Sequence, residues 1–260
     1  FADKVTRMLK KGAFVAEIAS NDGILLKNFK QKDIKVLGIE PAINIAKYAN
    51  DTGIMTINDY WSTQLAESVS KDMGRADAIL ANNVIAHVHD LHDFARGISN
   101  LLKDDGIAVI QVQYLIDFIE RLEYDTIYHE HVSYISLHSV DRLFSQYGLS
   151  VFDVERFPDI HGGSIRFYLK KAAKREESVE KLMEYEYNEG FLSLEKYEEF
   201  SRNVENHRNA IVSLLKDLRL KGKRIAGYGA AAKANTMLNY CQIGTDLIEY
   251  IADKSEHKQG

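Results

Sequence analysis

Phe14-Val15-Ala16-Glu17-Ile18-Ala19-Ser20-Asn21-Asp22-Gly23-Ile24-Leu25-Leu26 decides the fold. Residues 14–19 form a short apolar run of strand length, Ser20–Gly23 reads as a turn, and residues 24–29 resume with helical character. A strand, a tight turn and a helix in that order open a nucleotide-type α/β unit. The turn residues Ala19, Ser20, Asn21, Asp22 and Gly23 are small or tolerate left-handed backbone, so the chain can turn sharply and approach a ligand closely.

The same rhythm continues outward from this stretch. Residues 2–11 have helical spacing, with Gly12 as a stop. Downstream, strands are predicted at 35–40, 54–57, 77–81 and 107–112, and helices at 42–50, 61–70 and 91–102. This alternation predicts a parallel, doubly wound sheet with right-handed crossovers. Helices at 114–123 and 139–147 follow, then closing strands at 150–155 and 164–169 that are antiparallel because no helix separates them. From about 172 to 220, Glu, Lys, Tyr and Leu dominate, predicting one or two long helices in which Tyr185, Tyr187 and Tyr197 form a core stripe. Residues 223–228, 229–241 and 247–252 repeat the strand–helix–strand pattern. The expected domains are therefore 1–171, a helical linker at 172–221, and the start of a second α/β unit at 222–260.

The 260 residues carry a net charge of −5, with 45% hydrophobic and 27% charged residues. No sustained basic surface exists for nucleic acid, so nucleic-acid binding is not expected. One cysteine, Cys241, excludes an internal disulfide and a multi-cysteine metal site, and fits a cytoplasmic protein. No apolar run approaches the ~18 residues that cross a membrane, and no signal peptide is visible. The chain begins at Phe1 and stops at Gly260 just after a strand-like segment, which suggests that the protein extends further.

Ligands of an open parallel sheet sit beyond the carboxyl ends of its strands. Glu17, Ala19, Asn21 and Gly23 lie in or beside the first such turn. Glu40 ends the second strand, where a carboxylate accepts hydrogen bonds from ribose hydroxyls; Asp59 follows the third, placed to accept from an adenine amine. Asn82 and Asn83 follow the fourth and face the amino-acid end of a nucleoside cofactor. A dinucleotide and S-adenosylmethionine both suit such a site; Glu17 and the lack of Gly-x-Gly-x-x-Gly favour the methyl donor. Trp61 either covers an adenine or packs a helix onto the sheet.

Tyr128-His129-Glu130-His131 gathers a phenol, a carboxylate and two imidazoles. Imidazole is the side chain suited to proton exchange near neutrality. Metal binding is the rival, with His87-Val88-His89-Asp90-Leu91-His92 as a second source of ligands, and a structural role for most of these histidines is a third reading.

The stretches EIASNDGILL (17–26), ANNVIAHVHDLHDF (81–94), DTIYHEHVSYISLH (125–138), HGGSIR (161–166), GYGAAAKANTMLNYC (227–241) and ADKSEHKQG (252–260) resemble the NDP-sugar C-methyltransferases. The nearest parallels are the 3-C-methyltransferases of dTDP-4-keto-deoxysugars. The resemblance implies a class I methyltransferase, Rossmann-like sheet, a helical linker and a second, truncated Rossmann-like unit. It implies methyl transfer from S-adenosylmethionine to a carbon beside a ketone, with His131 as the base. Tyr128 and His87 fall on motif residues of the reaction centre, one or both of which would stabilise the enolate oxygen, and Glu130 would hold a sugar hydroxyl or orient His131. Gly227, Gly229 and Lys233 would grip the nucleotide-sugar diphosphate. The family's zinc belongs to an N-terminal domain outside this chain, so no metal is expected here. The rival class is an NAD(P)-dependent sugar oxidoreductase or a nucleotide-binding module without methyl transfer. It would use Gly227–Ala232 as its fingerprint and Asp253 as the acidic partner.

Overall fold

The computed structural model describes residues 1–160, 162–172 and 174–258; His161 of the HGGSIR stretch and the final Gln259-Gly260 lie outside the described residues. The chain folds as two compact units, Phe1–Leu115 with Val132–Glu186, and Ile116–His131 with Tyr187–Gly260.

In the first unit β1 (Phe14–Ile18), β2 (Lys35–Ile39), β3 (Thr56–Ile57), β4 (Ala76–Asn82) and β5 (Leu102–Gln113) alternate with α2 (Ile24–Lys30), α3 (Ile43–Asp51), α4 (Thr63–Met73) and α5 (Leu91–Leu101), after an opening α1 (Ala2–Arg7). The sheet runs β3-β2-β1-β4-β5-β7-β6, where β6 is Leu149–Phe157 and β7 is Ser164–Lys171. β1 pairs in parallel with β2 on one side and β4 on the other, so all five of its residues are buried. Burial on both faces explains its apolar run, which only Glu17 interrupts. β7 is antiparallel to both β5 and β6, as the missing crossover helix requires. Strand order reverses between β1 and β4, which places a ligand crevice at their carboxyl ends.

β3 is shorter than the sequence suggests. The N–H of Ile54 is taken by Ala49 O at 2.9 Å, closing α3, so the strand starts only at Thr56. α7 (Leu137–Ser145) opens on a Ser136–Ser139 capping box. α8 (Glu177–Asn188) follows β7 and buries Val179 and Glu186.

In the second unit α6 (Leu115–Glu120) and a 3-10 turn at Tyr124–Thr126 precede α9 (Leu194–Leu220), β8 (Gly227–Tyr228), α10 (Ala232–Cys241) and β9 (Ile251–Ala252). β8 and β9 are parallel. Cys241, Ile243 and Leu247 form the unit's small core against Ile211, Leu215 and Met237. β8 begins late because Lys223 N is held by Leu218 O at 3.0 Å, ending α9. The tyrosine stripe is corrected by the structure: Tyr187 is 69% exposed and Tyr197 37%. Tyr185 is half-buried, and the aromatic that α9 turns inward is Phe200, its ring 5.2 Å from that of Phe118.

Candidate active site

The turn after β1 is built from left-handed backbone at every second residue. Ala19, Asn21 and Gly23 have φ of 53°, 51° and 77°. That conformation costs roughly 1–2 kcal/mol for a residue with a Cβ, so neighbouring bonds must hold it. Ser20 N donates to Ile39 O at 3.1 Å and Gly23 N to Ser20 O at 3.0 Å. The Glu40 carboxylate, almost fully buried, accepts the N–H of Asn21 and that of Ala42, each at 3.0 Å. Gly38 makes room beneath, because a Cβ there would lie 2.3 Å from Ser20 Oγ.

Glu17 lies under the same turn and is 5% exposed. Asn82 Nδ2 donates to its Oε1 at a long 3.4 Å, while its Oε2 is buried without a partner. Burial pushes its carboxyl up to about 8, so near neutrality it is mostly protonated. Asn83 has φ of 56° and is pinned by its N–H to Gln111 O at 2.7 Å.

A cleft of about 440 Å³ opens beside these groups. Ala19, Asp59, Asn83 and His87 line it, with Trp61 and Phe94 among its apolar walls. Glu17, Asn21, Gly23, Glu40 and Asn82 are not lining residues; they form the turn and its buried support. Trp61 lines the cleft and also packs on α5, donating Nε1–H to Phe94 O at 3.2 Å above Gly97. His89, Asp90 and Asp93 also line the cleft. The sequence signal for His89 and Asp90 lies in His87–His92, a candidate source of metal ligands, and in the 81–94 stretch that carries the family resemblance. Among the described residues no cluster of three His, Cys, Asp or Glu side chains is set to hold a metal ion.

His87 ends a 3-10 turn, Ile85–His87, and the carbonyl before it, Ala86 O, accepts from Val132 N at 2.9 Å and Ser133 N at 3.2 Å. Thus the chain re-enters the first unit, one residue after His131, on the turn that carries His87.

The second unit holds Tyr128 and His131 together. Nδ1 of His131 lies 3.1 Å from Thr126 O, and Nε2 lies 3.3 Å from the Tyr128 hydroxyl. A carbonyl oxygen only accepts, so the proton sits on Nδ1 and Nε2 keeps its lone pair in the neutral ring. That is the tautomer a general base requires. Thr126 is buried, which fixes its carbonyl as the orienting group. Glu130 is exposed on the same loop. A groove of about 550 Å³ runs beside it, lined by Tyr128, His129, Asn235, Thr236 and Asn239.

Lys233 rests its ammonium on Glu123 Oε2 at 2.8 Å. Gly227 lies in β8, and Gly229 follows it with φ of 92°. Asp253, after β9, accepts from Ala230 N at 2.6 Å and from Ser255 N at 2.8 Å, and these N–H groups hold its carboxyl below the usual range. Glu40 makes the same pair of hydrogen bonds in the first unit, accepting from the turn after the first strand and from the residue two places on.

The sequence profile described as "Methyltransferase domain" matches residues 1–154. The chain belongs to that methyltransferase family. A second profile, "C-methyltransferase C-terminal domain", matches residues 159–260. The chain is 36% identical over 255 residues to "C-methyltransferase NovU" of Streptomyces niveus, an alignment covering 97% of this chain and 60% of NovU. The chain therefore spans about three fifths of that relative's length. Among solved structures, it resembles a SAM dependent methyltransferase from Archaeoglobus fulgidus, with TM-score 0.54 and 13% identity over 65% of this chain and 90% of that one. The PH0226 protein from Pyrococcus horikoshii OT3 gives TM-score 0.53 and 13% identity, covering 65% of this chain and 86% of its own. At such identities these likenesses establish the fold, the class I methyltransferase sheet expected from the sequence. The resemblance to C-methyltransferases read from the motifs is borne out.

Proposed function

We propose that this methyltransferase transfers a methyl group from S-adenosylmethionine to the carbon beside the ketone of a nucleotide-linked keto-deoxysugar. The observation that carries the reading is the 36% identity to a C-methyltransferase over 97% of the chain. The motifs shared with enzymes acting on NDP-sugars extend it to a dTDP-4-keto-sugar substrate.

The residues of the first unit fit the cofactor. Glu17 leaves a buried oxygen without a partner, and the Ala19–Gly23 turn brings bare backbone to the strand ends. Glu40 keeps acceptor capacity for ribose hydroxyls beyond the two N–H groups it holds, Asp59 supplies an acceptor for an amine, and Asn82 and Asn83 serve the amino-acid end. When bound, S-adenosylmethionine supplies an electrophilic methyl on a sulfonium.

The chain's own residues make the carbon nucleophilic. Nε2 of His131 takes the α-proton, the C–H electron pair moves towards the carbonyl, and an enolate forms on the sugar. Tyr128 turns its O–H from His131 to that oxygen; His87, on the cleft of the first unit, is the other candidate donor. Glu130 holds a sugar hydroxyl; Thr126 O, through Nδ1, orients the base. Gly227 and Gly229 bring backbone to the diphosphate, and Lys233 adds charge once released from Glu123. A reducing cytoplasm suits the single cysteine.

The test supplies the methyl donor and an α-deuterated dTDP-4-keto-sugar, then follows deuterium loss and methyl gain by mass spectrometry. Calorimetry with S-adenosylhomocysteine and with NAD separates the rival class. Tight NAD binding with none for S-adenosylhomocysteine would reject the proposal.

A further inference from the structure

Glu186 is fully buried, at 0% exposure, and no step above uses it. Its Oε1 accepts from Tyr114 Oη and from Leu137 N, both at 2.7 Å. Its Oε2 accepts from His138 N at 3.0 Å and lies 2.6 Å from His138 Nδ1. A carboxylate offers about four lone-pair sites, so this one is filled by four donors. A buried carboxylate is costly unless it is so satisfied, which makes the arrangement a built one.

Those donors share a place along the chain. The chain leaves the first unit after Leu115, returns at Val132, and leaves again after Glu186. Tyr114 immediately precedes the first exit, and it bridges to Ile135, with Leu115 N on Ile135 O at 3.0 Å. Leu137 and His138 open α7 shortly after the return. One carboxylate therefore ties the departing and the returning strands of the 116–131 segment, and sits itself at the third passage. That segment carries Tyr128 and His131.

We infer that Glu186 is a positioning residue: it pins both ends of the 116–131 segment and so maintains the setting of the His131 base. The inference rests on the reading of His131 as the base. Pinned ends restrict the segment before substrate arrives, and a misplacement of about 1 Å at a reacting group costs about a hundredfold in rate. Glutamine at 186 keeps the shape but turns an NH₂ towards groups that are themselves donors.

The test measures α-deuterium loss from a dTDP-4-keto-sugar by the full chain in saturating S-adenosylhomocysteine, with the affinity for that cofactor product read by calorimetry. Glu186→Gln is expected to lower kcat for exchange by about tenfold to a hundredfold, with KM and the S-adenosylhomocysteine Kd within about twofold. Tyr114→Phe removes one donor and is expected to shift kcat the same way by less. A Glu186→Gln protein that exchanges at the parental rate overturns the inference. Should that variant not fold, Tyr114→Phe decides: a parental kcat overturns, a lowered kcat with unchanged Kd supports. If the parent itself shows no exchange, the base reading fails and the inference falls with it. If the parent exchanges and both variants match it, only the inference falls.

Discussion

The Tyr128 and His131 rings stack 4.4 Å apart between centroids, tilted by 31°, with the phenol oxygen 3.3 Å from Nε2. In the proposed reaction the two side chains would act as one device, the imidazole taking the proton and the phenol stabilising the charge left behind. His131→Ala is expected to slow α-deuterium exchange by ~10²–10⁴. Tyr128→Phe is expected to slow it by ~10²–10³. The double variant should cost little more than His131→Ala alone, since residues acting as a unit are not additive. Exchange at the parental rate in Tyr128→Phe would remove the hydroxyl from the mechanism.

Glu17 gives the fold a pH dependence of definite sign. Its folded carboxyl is pushed by burial from 4.5 to about 8, whereas the unfolded chain ionises near the lower value. Between those values the folded state holds a proton that the unfolded state has released. Stability therefore falls as pH rises from roughly 5 to 8, by an amount of order a few kcal/mol. Glu17→Gln should lack this fall. Urea unfolding at both ends of that range checks it, and parallel profiles for parent and variant would show that Glu17 is not the titrating group.

Gly38 is expected to tolerate no side chain. A Cβ would meet Ser20 Oγ at 2.3 Å and Thr56 Oγ1 at 2.8 Å, forcing the Ala19–Gly23 turn away from β2. Gly38→Ala should lower stability by about 1–3 kcal/mol and weaken S-adenosylhomocysteine binding along with it. Thermal melting and calorimetry report the two effects; a variant that binds as the parent does would free the turn from this constraint.

Lys233 offers a contrast between stability and substrate binding. Its pair with Glu123 is partly exposed, so Lys233→Ala should change stability by under about 1 kcal/mol. KM for the nucleotide-sugar should rise while KM for the methyl donor stays put. An unchanged sugar KM would confine Lys233 to its ion pair.

The sheet was legible because its strands announce themselves locally. β1, β2, β4 and β5 are short apolar runs separated by amphipathic helices, and the closing antiparallel pair follows from the absence of a helix between β6 and β7. The errors fell where hydrogen bonds from a neighbouring helix claimed a strand's first residues, as at Ile54 and Lys223, and where an aromatic stripe met no core, as at Tyr187 and Tyr197. Ala19, Asp59 and Asn83 stand out by their places at strand ends and His87 by the motif resemblance, and the four line one cleft. Glu186 gave no signal, since a Glu among the acidic residues of α8 looks like a solvated one.

The amino-acid order alone determined the doubly wound sheet, the place of its ligand crevice and the chemistry-bearing YHEH motif, because periodicity and turn residues act over a few neighbours. Only the folded chain decided which His131 nitrogen bears the proton, that Glu17 is buried without a full set of partners, and that Glu186 joins Tyr114 to the start of α7. Those outcomes depend on burial and on donors brought together from distant stretches of sequence, and no local pattern encodes either.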